Sequence, residues 1–530
     1  MTKKAIIFIS FIGLICSFVL INRLQVKNFT VFNHVNPKQI EEVKSNLVEA
    51  EELQFTALLC NETRVPFDEQ TNTFFVPLDM GDEQWEKIEF VSGQPEYQIL
   101  FEEDVTDKSK QELIAENTKV KLLVFDQQFW SEYYITFTGL PIIDLATNEG
   151  FYAAEEITGT AVFFDTDFTI HGIQQSQYNG HIRGNTSRMF PKKGYKINLV
   201  KTNSDGSAEL NKLSLFGMRN DDDWILHALY NDDTKIRDRL SMAVWDAMGA
   251  RTVSENSYYG PKMTYVEVFA DNSYCGLYGL MEPVDAKQLN LAEEDYLYKR
   301  KNSGGLNYEN FDKSKDPYEN VNGFEIKAGQ MTENAWKPIA ELALLTYSSD
   351  EAYNYYIAER ADIDNVTRLW LFLQLITGHD HTAKNVFYVA KYEDDDYKFY
   401  FAPWDLDLTW GSVSVGEVNS VYTAFEKSVV DDRIYWETGN KVMDMNCDNA
   451  VEKMRVLYSD LRKSTLADEN LEKIIAELDY EVRFSGAFAR DKDRWPKSVH
   501  ADDTSELIWY AKERMKFLDA ALYDFSLFSE

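Results

Sequence analysis

The stretch NVTRLWLFLQLITGHDHTAKNVFYVAKY, residues 365–392, decides how the rest of the chain is read. Its first thirteen residues, NVTRLWLFLQLIT, are mainly apolar, which predicts a buried helix. Gly378 stops it, a polar loop follows, and VFYVAKY then reads as a strand. Within the loop, Asp380 and Asn385 stand five apart with Lys384 between them. In phosphoryl transfer, an Asp takes the acceptor's hydroxyl proton and an Asn five residues on binds a cation. The spacing alone is common in loops; its place between a buried helix and a strand gives it weight. His379 and His381 flank the aspartate, and without matching Cys or His elsewhere we assign them hydrogen-bonding roles.

Outward toward the C-terminus lies FYFAPWDLDLTWG, residues 399–411. A strand ends at Pro403, and Asp405 and Asp407 follow two apart, placed to converge on one hard cation. Trp404, Leu406 and Trp410 between them argue against a solvated loop. The intervening run Asp394–Asp396 reads as an exposed hairpin tip. From 451 to 526 the pattern is helical.

In the other direction, residues 168–204 contain no Asp or Glu, where about six would be expected at the chain's average content. Inside this gap, HIRGNTSRMFPKKGYKINLV (residues 181–200) carries Arg183, Arg188, Lys192, Lys193 and Lys196. A positive, Gly-punctuated turn feeding a strand suits a triphosphate. Farther on, TYVEVFADNSYCGLYGLMEPVDAKQL (residues 264–289) predicts a hairpin turning at Asp271–Asn272 and a strand ending at Met281-Glu282-Pro283, a connector able to offer backbone groups to an adenine edge.

The whole chain has 530 residues, 44% hydrophobic and 14% aromatic, which excludes a disordered protein. Its formal charge of −34 disfavours nucleic acid and favours basic partners. Cys16, Cys60, Cys275 and Cys447 form no CxxC, so neither a disulfide scaffold nor a structural zinc site is expected. Lys3 and Lys4 precede the uncharged run Ala5–Ile21, with no small-residue cleavage site after it. We expect a signal anchor over 1–23, a stalk over 24–51 with a helix in PKQIEEVKSNLVEAEEL, and a small antiparallel β-rich segment over 52–150. The bulk of the chain is then expected outside the cytoplasm, with the anchor its only membrane contact; the alternative is a cleaved signal and a secreted chain.

Taken in order, IRGNTSRMFPKKGYKINL, DWILHALYNDDTKIRDRLS, YVEVFADNSYCGLYGLME, DHTAKN and PWDLDLTWG resemble the spore coat protein H (CotH) kinase-like family over roughly 140–420. The resemblance implies an α+β, two-lobed atypical kinase fold over 151–530, strand-rich to about 300 and helix-rich beyond. It implies use of ATP and Mg2+ or Mn2+ on Ser or Thr of exported proteins. By motif, Asp380 resembles the catalytic aspartate and Asn385 a metal ligand. The second metal-binding aspartate falls in PWDLD, at Asp405 or alternatively Asp407. Lys196 resembles the lysine that steadies the phosphates, with Arg183 and Arg188 as further contacts. Spacing leaves open which of Lys192, Lys193 and Lys196 reaches the phosphate, and Glu282 stays a candidate at the nucleotide edge from the strand reading above. Asp232 or Asp233 is the implied partner acid. The anchor and β-rich segment depart from a coat protein, so a spore role does not carry over. The acidic surface suits a basic, Ser-rich protein substrate. The competing expectation is a catalytically silent surface scaffold on the same fold.

Overall fold

The computed structural model describes residues 36–529 except 52, 81–87, 104–107, 153, 185, 250–259, 303–304, 383 and 416–421. The predicted anchor over 1–23 lies outside the described residues. Among those described, no helix is long and apolar enough to cross a membrane. The architecture is α+β, with thirteen α-helices and several sheets among the described residues.

The chain divides into two compact units. The first runs to Gln177 and adds Val266–Gly276 and Arg483–Arg494. Its helix Pro37–Asn46 is capped by Asn36, whose side chain accepts the Gln39 N–H. That helix covers less of the stalk sequence than expected: Val48–Glu49 pairs as a strand with Phe129–Trp130, and Val43 is buried with Leu123, Phe125 and Trp130. The sheet here has the order Phe67–Asp68, Thr73–Pro77, Phe129–Thr138, Lys119–Phe125, Gln98–Phe101. It is mixed, not antiparallel as expected, because Thr73–Pro77 runs parallel to Phe129–Thr138. The chain between them is a long crossover through three strands and the helix Lys110–Ala115, which is what a parallel pair requires. Buried Arg490 grips Glu267 at 2.6 Å, and the Tyr274 hydroxyl donates to the same carboxylate at 2.6 Å. The predicted turn at Asp271–Asn272 is present, both residues left-handed (φ 52° and 58°).

The second unit comprises Tyr178–Tyr265, Leu277–Val482 and Trp495–Glu530. Strands β1 (Gly194–Thr202) and β2 (Asp223–His227) pair antiparallel, Lys196 opposite Ile225. Helix α1 follows (Arg237–Ala247), and then residues 277–282 of β3 (Ser273–Glu282), whose Met281 lies opposite Ile225. A second sheet is built from β4 (Tyr296–Arg300), β5 (Phe324–Ala328), β6 (Val386–Glu393) and β7 (Asp396–Pro403), in the order β5-β4-β6-β7. The β6–β7 turn is the predicted exposed tip, with Asp394 and Asp395 at φ 51° and 67°.

Between β5 and β6 runs α2 (Ile363–Ile376), the predicted buried helix. Asp362 caps it, accepting the Asn365 N–H at 2.8 Å. Buried Asn365 both accepts the Phe401 N–H (2.7 Å) and donates to the Phe401 carbonyl (3.1 Å), clamping the helix to β7. The helix ends where Thr377 turns left-handed, φ 53°. Cys60, Cys275 and Cys447 are all buried, and the Cys275 thiol donates to the Ser273 carbonyl at 3.5 Å.

Candidate functional site

Two chain stops place the first carboxylate. The left-handed Thr377 ends α2, and a single 3₁₀ turn, His379–His381, then presents Asp380. Lys384 Nζ lies 2.9 Å from Asp380 Oδ2, and Asn385 Nδ2 donates to the same oxygen at 2.8 Å. Asn385 is itself left-handed (φ 61°), a conformation asparagine tolerates. Its N–H donates to the Arg300 carbonyl (3.2 Å), and its carbonyl accepts the Trp404 N–H (3.0 Å). One residue therefore ties the Asp380 loop both to β4 and to the start of WDLD. His381 is hydrogen-bonded as expected, its Nε2 donating to the Trp404 carbonyl (2.9 Å), whereas His379 Nε2 lies 3.2 Å from the Asp432 carboxylate without a hydrogen bond.

The second pair of carboxylates leaves β7 at Pro403. Asp405 is left-handed (φ 62°), and the loop is held by α1. Asp238 Oδ1 accepts the Leu406 N–H (3.2 Å), while its other oxygen meets His227 Nε2 (3.2 Å). Thr409 closes the turn onto the Leu406 carbonyl (2.7 Å), and Trp410 Nε1 donates to Ser241 Oγ (2.9 Å). Trp404, Leu406 and Trp410 are buried, as their interleaving predicted.

The electrostatics separates the two aspartates. Burial pushes the Asp405 carboxyl up, but Arg183, His227, Lys299 and Lys384 outweigh it and hold it below its ordinary range. Asp407 goes the other way: burial raises it, and the negative charges of Asp405 and Asp238 raise it further, well above the ordinary value. Asp405 is thus the ionised member of the pair. Lys384 is pushed down by burial, yet Asp380, Asp405 and Asp407 together raise it. Burial lowers Lys299 to about 8, with the like charge of Arg183 adding to the effect.

That depression has a sign that can be measured. Lysine ordinarily titrates near 10.4, so folding with a value near 8 disfavours the protonated state. The penalty is absent above the ordinary value and sets in as pH falls toward 8. Lys299→Met is expected to be more stable than the natural chain at pH 7, by about 1–2 kcal/mol after allowing for partial solvent screening. The difference should vanish as pH approaches 10.5, read as paired denaturant midpoints at several pH values; a gap that is constant with pH contradicts it.

The structure thus brings Asp380, Asn385, Asp405, Asp407 and Arg183 into one cluster. Four other sequence-predicted residues have different partners. Lys196 is paired with Asp223 at 2.9 Å. Lys192 is buried, donating to the Leu277 carbonyl at 2.5 Å and lying over the Tyr278 ring. Arg188 is exposed, its carbonyl accepting from Lys193. Glu282 is buried and accepts the Arg219 N–H at 3.0 Å. Asp232 and Asp233 both bind Arg237, so the acid of that run that reaches the cluster is Asp238. Lys299 and His227 were not singled out from sequence at all. A lone lysine in a strand and a lone histidine carry no spacing signal.

Among the described residues, no three or more His, Cys, Asp or Glu side chains are grouped so as to hold a metal unaided. The donors present are oxygens of two or three Asp and one Asn. That set fits a hard cation completing its shell with phosphate and water, the usual mode for Mg2+, better than an all-protein cage.

The family model described as CotH kinase protein matches residues 181–518, well over half of the chain and every residue of the cluster. The chain belongs to the CotH kinase family. A search of curated proteins gives no match.

Proposed function

We propose that this chain is a metal-dependent protein kinase acting outside the cytoplasm, moving the γ-phosphoryl group of ATP to a Ser or Thr hydroxyl. The observation that carries the reading is the Asp380 carboxylate, oriented by Asn385 and by Lys384, which also acts on an ionised Asp405 flanked by Arg183. In this reading Asp380 accepts the acceptor's hydroxyl proton as its oxygen bonds to phosphorus and the bond to the departing ADP oxygen breaks. Asp405 and Asn385 would hold the divalent cation, with Asp407 beside them; the cation supplies neutralisation of charge on the phosphate oxygens. Arg183 contributes a planar donor set to the same oxygens. Buried Trp404 and Leu406 shield the loop backbone from water. The reading includes a two-lobed kinase-like arrangement, strand-rich to about 300 and helix-rich beyond. The N-terminal apolar run supports placement at the membrane, and the charge of −34 supports a basic, Ser-rich substrate.

The test is direct. The full chain, given radiolabelled ATP, Mg2+ or Mn2+ and a basic Ser-rich protein, should transfer label to Ser or Thr, and Asp380→Asn should lower that rate by about 10²–10⁴-fold. Transfer undiminished in Asp380→Asn would sink the assignment, and a nucleotide adduct on the product would mark a different transfer reaction.

A further inference from the structure

Several cations in the second unit near the candidate site are engaged by carboxylates. Lys196 holds Asp223, Lys287 holds Asp221 and Asp222, and Lys384 holds Asp380. Lys299 on β4 is different. It is half-buried, and its Nζ lies 5.6 Å from the ring centroids of both Phe387 and Trp404. Among the described residues no carboxylate lies within ion-pair distance of it. The Arg183 guanidinium lies 5.5 Å from the same Trp404 ring and likewise has no carboxylate in ion-pair contact.

Two cations share one indole, therefore, both within the field of Asp405. Ring faces repay part of the cost of removing an ammonium from water but none of the repulsion between it and a neighbouring guanidinium. A multiply charged anion arriving between them would remove both penalties. Position agrees. Lys299 stands opposite Phe387, two residues beyond Asn385, and the adjacent Arg300 carbonyl holds the Asn385 N–H.

We propose that Lys299, with Arg183, clamps the polyphosphate of the nucleotide from the Trp404 side of the site. The assignment rests on the kinase reading above and adds to it a residue from a strand that no motif reaches. The rings fix the lysine stem, so the ammonium is preorganised and little rotamer freedom is lost on binding.

Calorimetric titration of the full chain with MgATP, and separately with inorganic tripolyphosphate, tests this. Lys299→Met should weaken both ligands by about tenfold to a hundredfold, Lys299→Arg by about threefold at most, and Lys196→Met less than Lys299→Met. Lys299→Gln is a second charge-free variant should the first fail to fold. Binding by the charge-free variants within about twofold of the natural chain overturns the Lys299 assignment and leaves the kinase reading standing. Weakened ATP binding with unchanged tripolyphosphate binding also overturns it, since the contact would then not be to phosphate. Absence of binding by the natural chain overturns both.

Discussion

Asp405→Asn is expected to lower phosphoryl transfer by about a thousandfold while the chain stays folded. Asp405 sits among Arg183, His227, Lys299 and Lys384, and their combined field keeps it charged in spite of burial. The amide keeps the shape and discards the charge, so the cation would lose its principal anionic ligand and the surrounding cations their counter-charge. Two readouts should move together: turnover, and the cation-dependent part of the thermal stabilisation by ATP. Asp407→Asn should cost distinctly less, because that carboxyl is held toward its neutral form before any ligand arrives. Equal losses in the two variants would show that the aspartates act as a pair and would refute the ranking.

Arg237→Leu should produce the largest loss of stability, about 3–5 kcal/mol. Arg237 is 1% exposed and donates to Asp232, itself 0% exposed, at 2.6 Å, as well as to Asp233. The Arg237 N–H also donates to Asp232 at 2.7 Å, fixing the first turn of α1. Removing the guanidinium strands a buried carboxylate with no cation to answer it. The next residue is Asp238, which supports the Leu406 N–H and His227, so activity should fall beyond what unfolding explains. Combining the change with Asp232→Asn should restore part of the stability, measured by denaturant midpoint. A single variant losing under about 1 kcal/mol would contradict this account.

What could be read from sequence follows from how each element was encoded. Helix α2 and the β6–β7 hairpin were legible because burial on most sides leaves a predominantly apolar run, and two adjacent aspartates suit a tight turn. Asp380, Asn385 and Asp405 were legible because each lies in a short motif whose spacing is itself chemical. Phosphate contacts were harder. The acid-free island drew attention to five cations at once, yet only Arg183 faces Asp405, while Lys196 and Lys192 have internal partners. Sequence shows where charge is concentrated, not which way a strand turns each side chain, and one residue of register reverses the face. Asp238 was missed for a related reason: in a run with three acids, helix geometry chose the third. The parallel pair in the first unit was missed because strand order is set by a crossover, not by local pattern.

The three sealed sulfhydryls have a practical use. Burial pushes Cys60 up to about 12 and Cys447 up to about 11, so almost no thiolate exists at neutral pH. Cys60 and Cys275 lie in the first compact unit and Cys447 in the second, giving each part its own reporter. The rate at which a maleimide labels each one therefore measures how often that part opens, separately and without any engineered probe.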